Sequence, residues 1–293
     1  MIENPFHTEN YDDQTDWFLV SESLNGSKAS LEKIISRHQT FIYNVAWKMV
    51  LNPQDAEDIT QDILIKIITK LSQFNNKSLF RTWLYRIVVN HILNSKKQRR
   101  ELQFVDFGTV GNMIDQLPDN ELSEIEQTQF ADTTEDVRIS CTAGMLLCLD
   151  REQRMTFILG AIFNIDHKLG AEILEITPDN FRQRLSRARN DLHSFMDNKC
   201  GLVNKSNPCR CPKKTKSFIE LGWAFPDNLQ FNARHVSNIY NTIPQKNEEL
   251  LTVFEEKYQT LFANHPLQEP LNKTKIIDEL FADKKLKTIF DLN

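Results

Sequence analysis

The sequence predicts an all-α protein in which two helical domains are joined by an acidic linker and followed by a mostly helical C-terminal extension. Apolar residues recur at helical spacing through residues 28–50, 53–74 and 79–100. Only 8 of the 293 residues are glycine, which favours helices over tight hairpins. Residues 101–137 contain acids but no Lys or Arg, and they separate the two helical regions. The predicted boundaries are 12–100 and 136–197 for the domains, 101–135 for the linker and 198–293 for the extension.

The composition limits the classes of function. A net charge of −5 means that any binding to nucleic acid must use local basic patches, not the overall charge. The chain contains no glycine-rich phosphate loop. No apolar run approaches the length of a membrane span, and the acidic N-terminus does not resemble a signal peptide. We therefore expect a cytoplasmic protein without membrane insertion, whose five cysteines are thiols or metal ligands and not disulfides.

The helix expected to start at Pro53 carries an unusual acidic stripe. Asn52 can cap this helix, and early carboxylates complement the positive end of its dipole. Asp62 lies beyond the first turn, where the dipole effect has faded. Asp55, Asp58 and Asp62 share one face at i, i+3 and i+7. The helix also has an apolar seam, formed by Ile59, Ile63, Ile67 and Leu71. The pattern predicts an exposed acidic docking face on a packed helix.

The segment at residues 78–100 interleaves aromatic and basic residues. Bases can stack on aromatic rings while Arg and Lys follow a nucleic-acid backbone, so the pattern suits single-stranded DNA. Core packing is an equally good explanation for Trp83, Leu84, Ile87 and Val88, whereas Phe80 and Arg81, next to the turn, are expected to be exposed. The candidate DNA contacts are Asn75, Lys77, Phe80, Arg81, Trp83, Arg86, Asn90, Lys96 and Lys97.

Residues 167–196 predict a helix-turn-helix. Thr177 and Pro178 form a cap and a first helical position, so a short helix and a long one meet at this turn. The long helix has an inward stripe of Phe181, Leu185, Ala188 and Leu192. Its outward face has the donors and acceptors that read base edges and phosphates in the major groove. The candidates are Asp179, Arg182, Gln183, Ser186 and Arg187. A solvated basic helix without a DNA role is the alternative.

These motifs together resemble the two conserved helical regions of bacterial RNA polymerase sigma factors. The resemblance is carried by NPQDAEDITQDILIKI, SLFRTWLYRIVVNHILNSKK and LDREQRMTFILGAIF leading into NFRQRLSRARNDL, in that order. The most similar group is the extracytoplasmic-function group, which keeps only these two regions and a linker. The resemblance spans residues 16–196. It implies a non-enzymatic sigma factor that directs core RNA polymerase to promoters.

The resemblance also assigns roles to the predicted surfaces. In the family, the helix with the D-A-E-D motif docks on a coiled coil of the largest polymerase subunit. This implies that Asp55, Asp58, Gln61 and Asp62 contact polymerase. The basic aromatic segment would hold the melted non-template strand of the downstream promoter box, and the long helix would bind the upstream box as duplex. An anti-sigma factor is a further candidate partner.

The sequence departs from the family pattern at several positions. Glu175 stands in the turn where the family usually has glycine, and Gly170 takes a position that is usually apolar. Asn-Phe-Arg-Gln at 180–183 replaces the commoner Thr-Val-Lys-Ser. The extension resembles the cysteine-bearing tail of a subgroup of these sigma factors. The turn geometry and the promoter sequence therefore stay open.

The cysteines of the extension have a spacing outside the common zinc patterns. Sigma function requires no cofactor, but Cys200, Cys209 and Cys211 are candidate zinc ligands, with His193 or His235 as the fourth. Neighbouring lysines and Arg210 are expected to favour their thiolates. A redox or structural role is equally consistent with the spacing, and the absence of any role is the third alternative. The other two cysteines, Cys141 and Cys148, are expected to be small core residues.

Two alternatives to a sigma factor remain. A free-standing helix-turn-helix regulator would need neither the acidic stripe nor the aromatic basic segment. An enzyme could use the early acids to hold Mg²⁺ for phosphodiester chemistry. However, those acids lie along one helix and have no evident convergent partner.

Overall fold

Helices dominate the structure, a computed structural model that describes residues 5–6, 11–104, 106–227, 229, 262 and 267–268. The first domain contains α1 (Asp13–Leu24), α2 (Lys28–Val50), α3 (Pro53–Lys70) and α4 (Phe80–Asn94). They are followed by α5 (Arg99–Gln103), α6 (Phe107–Gln116), α7 (Glu124–Gln129), α8 (Ala131–Leu146), α9 (Arg151–Phe157), α10 (His167–Leu174), α11 (Pro178–Lys199) and α12 (Cys211–Glu220). No β-strand occurs among these residues, so the all-α prediction is confirmed for them.

The central helix of the first domain is α2, which packs against α1 and α3. Ser27 caps its N-terminus by accepting a hydrogen bond from the Ser30 N–H. Every residue from Gln39 to Val50 is buried, so this half of α2 contacts neighbours on all sides. A helix that is buried all round must lie inside a bundle, and α4 completes the bundle against α3 and α1.

The segment predicted as a linker contains regular structure. Three short helices, α5 to α7, occupy most of it, and α8 already begins within residues 101–135. Local caps explain these helices, because the Asp106 carboxylate accepts from the Thr109 N–H and Ser123 forms a capping box with Glu126. Helix α7 buries none of its residues, which explains why its sequence shows no amphipathic period.

The basic end of the described chain lies against this acidic segment. Each of four lysines near α12 contacts a different carboxylate of the linker. The ion pairs are Lys199–Asp115, Lys213–Glu121, Lys214–Asp119 and Lys216–Glu126. The Lys214 ammonium also donates a hydrogen bond to the Leu117 carbonyl. The opposite charges that the sequence segregates are therefore brought together in the fold.

The second domain is formed by α8 to α11. Helix α9 continues into a π-helical turn, Ile158–Ile162, and packs along α11, which also packs against α10. Of the predicted helical extension, α12 lies within the described residues. Beyond residue 229, the described residues of the extension are Phe262 and residues 267–268.

The two domains meet around one buried carboxylate. Glu101 of α5 is 5% exposed and contacts the guanidinium groups of Arg151 and Arg154, each at 2.9 Å. Arg154 also donates hydrogen bonds to the Met49 carbonyl at the end of α2 and to carbonyls before α9. Burial raises the pKa of Glu101, but hydrogen bonds from Arg151 and the Gln98 N–H and the charge of Arg154 outweigh it and lower the pKa.

Candidate nucleic-acid and protein interfaces

The acidic face of α3 lies on the surface. Asn52 accepts a hydrogen bond from the Asp55 N–H at 3.0 Å, so the predicted cap is formed. Asp58 and Asp62 are exposed, while Asp55 and Gln61 are half-buried. The seam on the other side is buried, with Ile63 fully covered. The carboxylate side chains are thus presented outward by a helix whose position is fixed by its core face.

The surroundings of Asp55 disfavour its charged form. Burial raises its pKa, the charge of Asp58 raises it further, and the Arg100 guanidinium opposes both. Its side chain lines a cavity of about 320 Å³ that also involves Phe104 and Trp223. The N-terminal end of the acidic stripe therefore borders a cavity to which residues following α12 contribute.

The expectation that Phe80 and Arg81 are exposed is wrong. Both are 3% exposed. The Arg81 guanidinium forms an ion pair with Asp13 at 3.0 Å and donates a hydrogen bond to the Pro5 carbonyl at 3.1 Å. The Phe80 ring packs edge-on against Phe74 at 5.3 Å. Residues from the N-terminus cover the start of α4. The position of Phe80 and Arg81 next to a turn therefore did not predict their exposure.

Other members of the predicted single-strand surface are accessible. Trp83 and Arg86 are half-buried, and the Trp83 ring packs against Phe74 at 5.6 Å. The remaining candidates are exposed, namely Asn75, Lys77, Asn90, Lys96 and Lys97. The accessible surface is therefore more basic and less aromatic than the sequence suggested.

The helix-turn-helix geometry is retained despite the unusual turn. Glu175 caps α10 in the left-handed conformation with φ at 55°, although a side chain there costs about 1–2 kcal/mol relative to the right-handed region. Thr177 then caps α11 by accepting from the Asn180 N–H. Gly170 lies against Phe181, and a Cβ at Gly170 would lie 2.5 Å from that ring. The large ring of Phe181 on α11 thus requires a glycine at position 170 on α10.

The outward face of α11 is exposed as expected. Phe181, Ala188 and Leu192 are buried, whereas all five candidate contacts are exposed. These are Asp179, Arg182, Gln183, Ser186 and Arg187. Asp179 and Arg182 form an ion pair one turn apart. The helix packs along α9, where Arg184 also forms an ion pair with Glu152 at 2.9 Å. A rigid helix with an open polar face is the arrangement that major-groove recognition needs.

The single-strand segment and the helix-turn-helix contact each other. The Arg86 Nε donates a hydrogen bond to the Glu172 carbonyl at 2.8 Å. The Asn90 side chain donates another to the Glu175 carboxylate at 3.3 Å. The middle of α4 therefore faces α10, while the outward face of α11 stays open.

The cysteines lie closer together than their sequence positions suggest. All five are free thiols. The main chains at Cys200 and Cys209 pair in an isolated parallel β-bridge, which is a backbone contact and not a disulfide. Cys141, expected only as a core residue, lines one cavity with Cys200, Cys209 and Cys211. As placed, no three His, Cys, Asp or Glu side chains of the described chain are arranged to hold a metal ion.

The expected stabilisation of the thiolates is also wrong. Burial raises the pKa of Cys209, and the neighbouring sulfur of Cys200 raises it further, while the opposing charges of Lys214 and Arg210 are weaker. Burial raises the pKa of Cys211 to about 12. Lys213 and Lys214 form ion pairs with linker carboxylates, which offset the lysine charges near Cys209 and Cys211. Of the two histidines named as ligands, His193 does not line the cavity and His235 lies outside the described residues.

Comparison with known proteins finds sequence similarity over the two helical regions. Residues 34–101 match the family model for sigma-70 region 2. The RNA polymerase sigma factor CnrH of Cupriavidus metallidurans is 24% identical over 192 residues, which cover 63% of this chain and 96% of that protein. The ECF RNA polymerase sigma-E factor of Haemophilus influenzae is 28% identical over 188 residues, which cover 60% of this chain and 92% of that protein. The ECF RNA polymerase sigma factor SigW of Bacillus subtilis is 25% identical over 179 residues, which cover 59% of this chain and 92% of that protein.

A solved structure of CnrH in complex with the cytosolic domain of CnrY covers 62% of this chain and 97% of its own, with 20% identity and a TM-score of 0.43. The region 2 match and the relatives define the class of this chain, an RNA polymerase sigma factor. Within that class it is of the extracytoplasmic-function type, and it directs transcription initiation as a non-enzymatic factor that needs no cofactor. These relatives do not favour the alternative of a free-standing helix-turn-helix regulator. Among the described helices, none has the length and apolar character that crossing a membrane requires.

Proposed function

We propose that this sigma factor divides its work among three surfaces. The acidic face of α3, with Asp55, Asp58, Gln61 and Asp62, docks on core RNA polymerase. The outward face of α11 binds the upstream promoter box as duplex DNA. The basic surface around α4 holds the melted non-template strand of the downstream box. The observation that carries the proposal is the exposure of two chemically opposite faces, one acidic and one polar and basic, on two firmly packed helices.

Charge supports this division. A carboxylate stripe repels the phosphate backbone, so it suits a protein partner. The polar face of α11 offers Gln183, which can pair with adenine, and Arg187, which can pair with guanine or phosphate. The exposed Lys77, Lys96 and Lys97 offer the charge that follows a single strand. Phe80 and Arg81 belong to the core in this conformation, so we assign them no direct contact with DNA there.

The partners follow from the same surfaces. Core polymerase and promoter DNA are the principal partners, and an anti-sigma factor is a further one. We place the protein in the cytoplasm, where polymerase acts, and we propose no membrane insertion. Zinc at Cys200, Cys209 and Cys211 would be an added structural group and not a requirement of initiation.

Co-purification with core polymerase followed by runoff transcription tests the function. The chain should form a stoichiometric complex with core enzyme and start transcripts at defined promoters only when both are present. Tight binding of the isolated chain to duplex promoter DNA, with no binding to polymerase, would instead establish a free-standing regulator. Metal-dependent cleavage of DNA by the pure chain would revive the enzyme alternative.

A further inference from the structure

A short stretch of the C-terminal extension packs into the core that the helical domains form. Phe262 is 1% exposed and Leu267 is 2% exposed, and both belong to the main hydrophobic core. Gln268, which follows them, is half-buried. Leu221 and Phe225, which follow α12 more closely, are exposed. The described residues furthest along the extension are therefore more firmly packed than those just after α12.

One side chain of α2 holds the main chain of the extension at Gln268. Asn44 is fully buried. Its Nδ2 donates to the Gln268 carbonyl at 2.8 Å, and its Oδ1 accepts a hydrogen bond from the Gln268 N–H at 2.9 Å. The Nδ2 also donates to the Thr40 carbonyl at 2.7 Å, one turn earlier in α2. A buried amide that loses its partners is costly, so residue 268 accounts for a polar side chain at this position of a core helix.

The other end of the stretch contacts the second domain. The Phe262 ring packs against Phe157, the last residue of α9, with ring centroids 5.1 Å apart and ring planes at 80°. This is the edge-to-face arrangement that aromatic pairs prefer. Asn44 belongs to the first domain and Phe157 to the second, and the helices that carry them, α2 and α9, pack against each other. The stretch therefore spans the seam between α2 and α9.

The same seam also receives a residue from the N-terminal part of the chain. Phe6 is 3% exposed, and its ring lies 5.8 Å from that of Phe41 in α2 and 5.0 Å from that of Phe163, which follows the π-helical turn. Phe41 lies three residues before Asn44, on the same face of α2. The seam thus offers aromatic rings from both domains and a buried amide. Peptide-binding grooves combine these features, because main-chain hydrogen bonds give affinity and side-chain pockets give specificity.

We propose that the seam between α2 and α9 is a peptide-docking groove whose occupant is the stretch at residues 262–268 of this same chain. Asn44 holds the main chain of the stretch, and Phe157 receives its aromatic ring. In the sequence, Pro266 and Pro270 flank residues 267–269. Proline restricts its own φ and the conformation of the residue before it, so less conformational entropy is lost when this stretch docks.

Docking has a consequence for the arrangement of the domains. Because the stretch contacts both domains, it restrains them in the arrangement in which α10 covers the middle of α4. The extension is then a built-in restraint on domain separation. This inference goes beyond the proposed contacts with promoter and polymerase and does not depend on them, because it concerns only contacts within the chain.

The test compares two substitutions at Gln268 in the full chain by amide hydrogen exchange. Gln268→Pro removes the N–H that donates to Asn44, whereas Gln268→Ala keeps it. Peptides covering residues 258–267 should exchange at least about fivefold faster in Gln268→Pro, the factor expected where one hydrogen bond is lost and exchange follows local opening. Gln268→Ala should match the unaltered chain. Phe262→Ala should also exchange faster, and Phe225→Ala, which removes an exposed ring from the extension, should not.

A double variant tests whether Asn44 and residue 268 act together. In a chain that carries Asn44→Ala, Gln268→Pro should add little further exchange, because the partner of the N–H is already absent. Effects that simply multiply would show that Asn44 does not hold residue 268, and they overturn the proposal. Equal exchange in Gln268→Pro and Gln268→Ala overturns it as well. Neither of those two variants alters α2, so their comparison decides the matter even if Asn44→Ala does not fold.

Two further outcomes concern the effect of docking and the identity of the occupant. The amides of residues 173–177, beside the Arg86 hydrogen bond, should exchange faster in Gln268→Pro than in Gln268→Ala. Unchanged exchange there overturns the restraint on the domains. Light scattering should show a monomer at the concentrations at which residues 258–267 are protected from exchange. Protection that appears only with a dimer would assign the groove to the stretch of a second copy, and it would overturn docking within one chain.

Discussion

The Arg86 side chain of α4 donates a 2.8 Å hydrogen bond to the main-chain carbonyl of Glu172 in α10. This hydrogen bond joins the surface proposed for the melted strand to the first helix of the helix-turn-helix. The neighbouring bond from Asn90 to Glu175 lies beside it. A strand bound along α4 would need the same donors. The middle of α4 is therefore covered by α10 while the outward face of α11 is open, and we propose that these two hydrogen bonds separate when the downstream box binds.

We predict that Arg86→Ala loosens the end of α10 in solution. Removing one hydrogen bond costs about 1 kcal/mol, which corresponds to about fivefold faster amide hydrogen exchange where exchange follows local opening. The amides around residues 173–177 should show this change, and those of α3 should not. Arg86→Lys, which keeps the charge and can still donate, should show a smaller change. Unchanged exchange around α10 in Arg86→Ala would mean that the closed arrangement does not form in solution.

The acidic stripe yields a prediction about polymerase binding. Asp58→Lys combined with Asp62→Lys should abolish pull-down of core polymerase, because both side chains are exposed on the proposed docking face. The free energy of unfolding should change by no more than about 0.5 kcal/mol, as is usual for exposed positions. Circular dichroism melts and the pull-down can be done on the same preparation.

A charge-matched variant provides the control for that experiment. Glu124→Lys with Asp132→Lys reverses two exposed acids elsewhere, on α7 and α8. It alters the net charge by the same amount and should retain more polymerase binding than the stripe variant. Equal weakening in both variants would point to overall charge and not to the stripe.

The recognition helix yields a prediction about sequence specificity. Gln183→Ala or Arg187→Ala should weaken binding to the upstream box by roughly 1–3 kcal/mol for each base that the side chain reads. The weakening should depend on the base at one position of the box, which a panel of single-base promoter variants can reveal. Ser194→Ala, further along the same helix, is the matched control. A weakening that is uniform across all promoter variants would assign these side chains to phosphate binding.

The start of α4 and its basic tail should respond differently to substitution. Phe80→Ala removes a buried ring and should lower the free energy of unfolding by about 3–5 kcal/mol. Lys96→Ala with Lys97→Ala should leave stability within about 0.5 kcal/mol. The lysine variant should also reduce the salt dependence of single-strand binding, by a slope of about 0.7 for each phosphate that it no longer neutralises. Thermal melts and salt titrations separate the two effects, and a stable Phe80→Ala would contradict its core position.

The sequence was sufficient for features set by local rules. The cap at Asn52, the cap at Thr177 and the inward stripe of α11 all depend on residues close together on one helix, and all are formed. The helix predicted over residues 53–74 is shorter in the structure. It ends at Lys70, because Leu71–Gln73 forms a 3₁₀ turn.

Features set by distant neighbours could not be predicted in the same way. Burial of Phe80 and Arg81 depends on the N-terminal residues that fold over them. The position of Cys141 beside Cys211 depends on how α8 packs against α12, and no local pattern encodes that. Charge segregation was visible in the sequence, and it could have suggested that the linker and α12 attract each other.

Glu101 leads to a prediction about stability and pH. Its carboxylate is buried between Arg151 and Arg154, so removing its charge leaves two guanidinium groups without their counter-charge. Glu101→Gln should therefore lower the free energy of unfolding at pH 7 by about 3–5 kcal/mol. The pKa of Glu101 is lowered in the folded chain, so its contribution is complete above the ordinary glutamate pKa of about 4.3 and is lost as pH falls through the folded value. Denaturant unfolding from pH 7 to pH 3 should show the difference between the unaltered chain and Glu101→Gln shrinking below about pH 4. Glu121→Gln, which removes an exposed linker carboxylate paired with Lys213, should show little difference at any pH. A constant difference between Glu101→Gln and the unaltered chain over the whole pH range would mean that packing, and not the buried charge, links the two domains.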